Sequence, residues 1–100
     1  MSILFSCTTS ISAGEFPELI SCRWPLGRVT VTDDRFIFDL RVRKFELLFK
    51  DIDYIEFNFL QANFEYQQPG VPANISVNGW LAARQIKALI IQQKLPLTVR

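Results

Sequence analysis

The chain has 100 residues, the size of one domain, and its 49% hydrophobic and 21% charged content is that of a folded globular protein, far from the composition of a disordered one. Eleven Lys and Arg against ten Asp and Glu leave a net charge of +1, so no global field draws in nucleic acid, and any charged partner has to be recognised locally. Histidine is absent, which excludes Ser-His-Asp and Cys-His catalysis; with Cys7 and Cys22 outside any CxxC spacing, it also excludes a Cys/His zinc site.

In chain order, Met1 to Gly14 lacks a basic lead, and its apolar stretch Ile3-Leu4-Phe5 is too short for a secretory leader. No run approaches the roughly 20 apolar residues that span a bilayer, so a cytoplasmic protein is expected. Residues 3–11 and 18–24 are predicted strands, interrupted by Gly14 and Pro17. Cys7 and Cys22 fall within them and are expected as free, partly buried thiols, the alternative being a bridge across neighbouring strands in a secreted protein. From residue 28 the hydrophobic period is two. Val29 and Val31 alternate with Arg28, Thr30 and Thr32, and after Asp33-Asp34 the residues Phe36, Phe38 and Leu40 alternate with Arg35, Ile37 and Asp39. That is a hairpin with an acidic turn, because a short carboxylate bonds nearby backbone N–H groups and tolerates a left-handed backbone.

Past the basic stretch Arg41-Val42-Arg43-Lys44, a strand through Phe45, Leu47 and Phe49 alternates with Glu46 and Lys50. The next carries Ile55, Phe57 and Phe59 against Glu56 and Asn58. Gln61 to Asn63 is the predicted turn, Phe64 and Tyr66 the following strand, and Pro69-Gly70-Val71-Pro72 forbids further pairing. Ile75 and Val77 form a last short strand. The period then changes to 3.6: from Gly79 to Lys94, Ala82, Ile86, Leu89 and Ile90 share one stripe with Ala83 beside them, opposite Arg84, Gln85 and Gln92. Asn78 is the expected N-cap; Arg84, Lys87 and Lys94 bring cations towards the negative end of the helix dipole before Pro96 ends it. About seven short antiparallel strands and one helix bury a common face best as a mainly β domain over residues 1–100. The expected form is a strongly bent sheet or partly open barrel capped by the C-terminal helix.

Residues 25–38 (Pro25-Leu26-Gly27-Arg28 through Phe36-Ile37-Phe38), Phe45-Glu46-Leu47 and Asp51-Ile52-Asp53-Tyr54-Ile55-Glu56 together resemble the bacterial pleckstrin-homology-like and GRAM-like domains. The end of the chain, Ala73 to Val77 with Trp80 and Ile86, is similar to that family's end, and the resemblance covers about residues 23–97. It implies a non-catalytic scaffold that presents loops or a groove to a lipid head group, a peptide or another protein. Lipid-binding members carry Lys and Arg on the loop joining their first two strands, whereas the dense basic run here falls one hairpin later.

Arg41, Arg43 and Lys44, with Arg23 or Arg28 nearby, are the candidate phosphate clamp; the alternative is a solvated hairpin tip. Phe57, Phe59, Phe64 and Tyr66 could stack bases, but their alternation with polar residues fits a buried face better. Asp33 and Asp34 suit a turn, Asp51 and Asp53 flank a strand start, and the isolated Gly14, Gly27, Gly70 and Gly79 make no phosphate-cradling loop. The expectation is therefore a non-catalytic module without cofactor or metal. It binds a protein or peptide partner, a second copy of the chain included, through exposed strand edges or Trp80 and Ile91 on the helix shoulder. The alternative is a membrane-surface module holding anionic lipid head groups on Arg41, Arg43 and Lys44; a small enzyme, which would need a deep polar pocket containing Asp51 or Asp53, comes third.

Overall fold

The computed structural model describes residues 3–14, 20–41, 43–67 and 75–100. Its strands are β1 (Ile3–Ala13), β2 (Ile20–Thr32), β3 (Arg35–Asp39), β4 (Lys44–Leu48), β5 (Ile52–Phe57), β6 (Gln61–Tyr66) and β7 (Ser76–Asn78), with one helix, α1 (Trp80–Gln92). A single 3-10 turn, Phe49–Asp51, joins β4 to β5. The strands form one antiparallel sheet of order β4-β3-β2-β1-β7-β6-β5. It curls into a half-barrel whose central strand, β1, pairs with β2 along its length and with β7 over Ser10 to Ser12.

The two upstream strands separate more cleanly in the sequence than in space. Residues expected as separate strands around 18–24 and 28–32 form the single β2, which runs through Pro25 and Gly27. A wide bulge reconciles this with proline: partners step from Thr9 to Ile11 on β1 while they step from Gly27 to Cys22 on β2. The surplus residues 23–26 leave the ladder where proline cannot donate, and the Trp24 N–H bonds the Ser10 hydroxyl instead, at 2.8 Å. The register sets Cys7 opposite Val29 and Cys22 opposite Ile11, so both thiols are free.

Three further boundaries move for local reasons. The turn between β5 and β6 falls at Asn58–Leu60, not at Gln61–Asn63. The Asn58 side-chain oxygen accepts the N–H groups of Leu60 (3.0 Å) and Gln61 (2.9 Å), closing the turn at once. Asn78 is the last residue of β7 rather than the N-cap; its amide donates to the Ser12 hydroxyl and accepts from Gln61 across the sheet. Gly79, at φ 137°, occupies the cap position, where only glycine is at ease. At the other end α1 stops at Gln92, so Lys94 stands outside the helix. The expected breaks at Pro17 and at Pro69–Pro72, and Val42 of the basic run, lie outside the described residues.

The core sits between the concave sheet face and α1. Phe36, Phe38 and Phe64 are buried together, with Phe64 edge-on to Phe36 at 5.0 Å and to Phe38 at 5.1 Å between ring centres. Phe49 reaches Phe36 at 5.3 Å. Ala82, Ala83, Ile86 and Ile90 close this cluster from the helix, as the 3.6-residue stripe requires, and Leu89 is half-buried beside them. Each fully buried large side chain contributes about 1.5–3 kcal/mol. The β5 edge is not open: the tail pairs with it in parallel through Val99 opposite Ile55. Among the described residues no helix is long and apolar enough to cross a membrane.

Candidate functional site

The hairpin tip between β3 and β4 carries the basic run. Arg41 takes a left-handed conformation, φ 73°, because its N–H is held by the Asp39 carboxylate at 2.9 Å and the Leu40 N–H bonds the Arg43 carbonyl at 2.8 Å. Arg41, Arg43 and Lys44 are all exposed. Each has its own neighbours: the Arg43 guanidinium lies 4.8 Å from the centre of the Phe45 ring, and the register sets Lys44 and Arg28 on either side of Asp39. Arg28 also donates to the Ser6 hydroxyl, and Arg23 is away in the β2 bulge. The tip thus surrounds a carboxylate with cations.

The carboxylates serve structure. In the turn after β2, the buried Thr32 hydroxyl accepts the N–H groups of Asp34 (3.3 Å) and Arg35 (3.1 Å). Arg35 grips Asp34 through two hydrogen bonds, at 2.9 and 3.0 Å, and reaches Glu46 at 3.1 Å. That guanidinium holds the Asp34 carboxyl below its ordinary pKa, and the two carboxylates raise the pKa of Arg35 in turn. Asp53 accepts from the Gln67 amide at 3.4 Å on the outer face of the sheet. Among the described residues no cluster of His, Cys, Asp and Glu could hold a metal ion.

A different surface gathers apolar groups. The Gly79 N–H bonds the Leu60 carbonyl at 2.7 Å, which fastens the β5–β6 turn, with its Phe59 and Leu60, to the start of α1, where Trp80 is the first residue. All three are exposed, Phe59 at 80%. Between this turn and the helix runs a groove of about 300 Å³ lined by Phe57, Asn58, Phe59, Ala83, Arg84 and Lys87. The Arg84 guanidinium sits 5.7 Å from the Trp80 ring centre, and the Lys87 ammonium 5.9 Å from that of Phe57. Spaced at i, i+4, i+7 and i+11, Trp80, Arg84, Lys87 and Ile91 share one helix stripe, with the exposed Ile91 about 16 Å along the axis from Trp80. All ten Asp and Glu precede residue 79, so α1 and the tail carry Arg84, Lys87, Lys94 and Arg100 with no acid among them.

Sequence reasoning placed Trp80 and Ile91 on this face but missed Phe59, whose alternation with Asn58 reads as a continuing strand. The available signal was Asn58 itself, a turn former ahead of two more apolar residues. The four aromatics do not make one platform. Phe64 is in the core, Phe57 and Tyr66 are half-buried, and Phe59 is outside; burial pushes the Tyr66 hydroxyl up to about 12.

No protein-family model and no curated protein matches the chain. Two solved structures do. The C-terminal domain of an unknown protein from Leishmania infantum aligns with a TM-score of 0.60 at 15% identity, covering 92% of this chain and 83% of that one. The Vps36 N-terminal PH domain aligns with a TM-score of 0.59 at 14% identity, covering 92% and 80%. Likeness at so low an identity speaks for the path of the chain alone, and that path, seven antiparallel strands in a curled half-barrel closed by a C-terminal helix, is a pleckstrin-homology-like fold.

Proposed function

We propose that this chain is a non-catalytic docking module that takes a protein partner in the groove between the β5–β6 turn and α1, and that the partner presents an acidic peptide with an apolar anchor. The observation that carries this reading is the groove itself: Phe57, Phe59 and Ala83 offer an apolar bed, Arg84 and Lys87 are its charged lining residues, and no carboxylate lies among them. Exposed Trp80 and Arg84 are residue types that anchor interfaces, and a large aromatic left in water gains most when a partner covers it. The resemblance of residues 23–97 to bacterial pleckstrin-homology-like and GRAM-like scaffolds, and the fold shared with the Vps36 PH domain, are consistent with docking rather than catalysis.

The test is fluorescence anisotropy with a labelled synthetic peptide in which a Phe-Leu pair is flanked by Asp and Glu, alongside one in which Lys replaces the acids. The acidic peptide is expected to bind more tightly and to lose affinity as salt rises. Trp80→Ala and the pair Arg84→Glu with Lys87→Glu should each weaken it by roughly tenfold or more, the loss typical of an interface anchor. Replacing Arg41, Arg43 and Lys44 by Ala should leave it unchanged. Equal binding of both peptides, or indifference to the groove variants, overturns the reading. Co-sedimentation with anionic but not neutral liposomes, lost in the Arg41, Arg43, Lys44 triple variant, would put the head-group function in its place.

A further inference from the structure

The outer edge of β5 would expose unpaired backbone groups if it stood alone. Instead Thr98 to Arg100 lie along it: the Ile55 N–H bonds the Thr98 carbonyl at 2.9 Å, the Arg100 N–H bonds the Ile55 carbonyl at 2.8 Å, and the Phe57 N–H bonds the Arg100 carbonyl at 2.9 Å. Leu95, Leu97 and Val99 pack against the core while staying partly exposed, and the Arg100 guanidinium stands 4.0 Å from the centre of the Tyr54 ring. To reach this edge the chain reverses immediately after α1. The reversal is a helix-ending motif in which the Leu95 N–H returns to the Ile90 carbonyl (3.1 Å) and the Lys94 N–H to the Ile91 carbonyl (3.4 Å). Its left-handed position, where glycine is the usual occupant, is held by Lys94 at φ 51°.

We propose that the β5 edge is a strand-acceptor site that exchanges its tail with a second copy of this chain, residues 95–100 crossing from one protomer to the other and Thr98 to Arg100 pairing in parallel with the other's β5. The tail's own fit identifies the occupant. Exchange preserves the β5 backbone bonds and the contacts of Leu95, Leu97 and Val99, and it frees Lys94 from its left-handed conformation. The attached tail competes at an effective concentration in the millimolar range, so the wild-type dimer forms at about millimolar protein. This holds whether or not an acidic partner binds the groove.

Sedimentation velocity across protein concentration, paired with amide hydrogen exchange, tests it. Lys94→Pro bars the left-handed hinge, since proline fixes φ near −65°, and is expected to tighten dimerisation by roughly tenfold or more. Within that dimer the Ile55 and Phe57 N–H groups stay protected. Adding Val99→Asp should return the variant to monomer and expose both amides. Lys94→Gly, which relieves the strain without opening the hinge, should lower the dimer fraction below that of wild type. A monomeric Lys94→Pro chain overturns the proposal, as does a dimer that survives Val99→Asp. Should Lys94→Pro fail to fold, Lys94→Gly against wild type at about millimolar concentration decides, and an unchanged or raised dimer fraction overturns it.

Discussion

Thr32 and Asp34 divide the work of one turn. The Thr32 hydroxyl is fully buried and accepts two turn N–H groups, so Thr32→Val keeps the volume but strands both donors. The expected loss is about 1–3 kcal/mol in urea denaturation. Asp34 acts through charge: its folded pKa lies below the unfolded value, mainly because Arg35 hydrogen-bonds it, so its contribution is present above the unfolded carboxylate pKa and disappears as pH falls through the depressed folded value. Asp34→Asn should therefore have a lower urea midpoint than wild type near pH 7, and the gap should close in strong acid. A gap that persists at about pH 2 would assign the effect to packing rather than ionisation.

Among the elements, β2 shows how a backbone contact can override the composition of a strand. A Cβ built on Gly27 would lie 2.5 Å from the Thr9 carbonyl oxygen, so β1 and β2 approach here as only glycine allows, at the lip of the bulge that expels residues 23–26. Gly27→Ala must push a backbone atom rather than a flexible side chain, and a loss of roughly 1–3 kcal/mol is expected in chemical denaturation. Hydrogen exchange should show the increase in opening concentrated in β1 around Thr9. An alanine variant as stable as wild type would mean that the pair can slide apart without cost. At the other end of the sheet the β5 edge is handled differently, by a strand borrowed from the chain's own tail.

The molecule as a whole is organised around one aromatic cluster and one charge boundary. Phe64 comes from β6 and meets Phe36 and Phe38 of β3 across the half-barrel, so it joins the two ends of the sheet as well as filling volume. Phe64→Ala should cost about 3–5 kcal/mol, and a double-mutant cycle of Phe36→Leu with Phe64→Leu should show a coupling of about 0.5–1.5 kcal/mol. Additive losses in that cycle would mean that the rings share a cavity without interacting. Because all ten carboxylates precede α1, the near-neutral chain still has a cationic helix side, where the proposed acidic partner docks.

Hydrophobic periodicity by itself determined the mainly β class, the Asp33-Asp34 turn, the inward set Val29, Val31, Phe36, Phe38 and Leu47, and the buried stripe of the final helix. These follow from which side chains must leave water together, a property of sequence spacing. Asn58 was equally legible as a turn former, yet the alternation of Phe57 and Phe59 outweighed it. Only the tertiary structure decided the rest. The bulge at residues 23–26 depends on a hydroxyl of another strand, and Asn78 gives up the helix cap because the sheet offers its amide two partners. The groove that sets Phe59 across from Arg84 and Lys87 and the capture of the β5 edge by residues 98–100 join segments far apart in the chain. Such contacts are chosen by the energy of the assembled sheet and helix, which no local pattern contains.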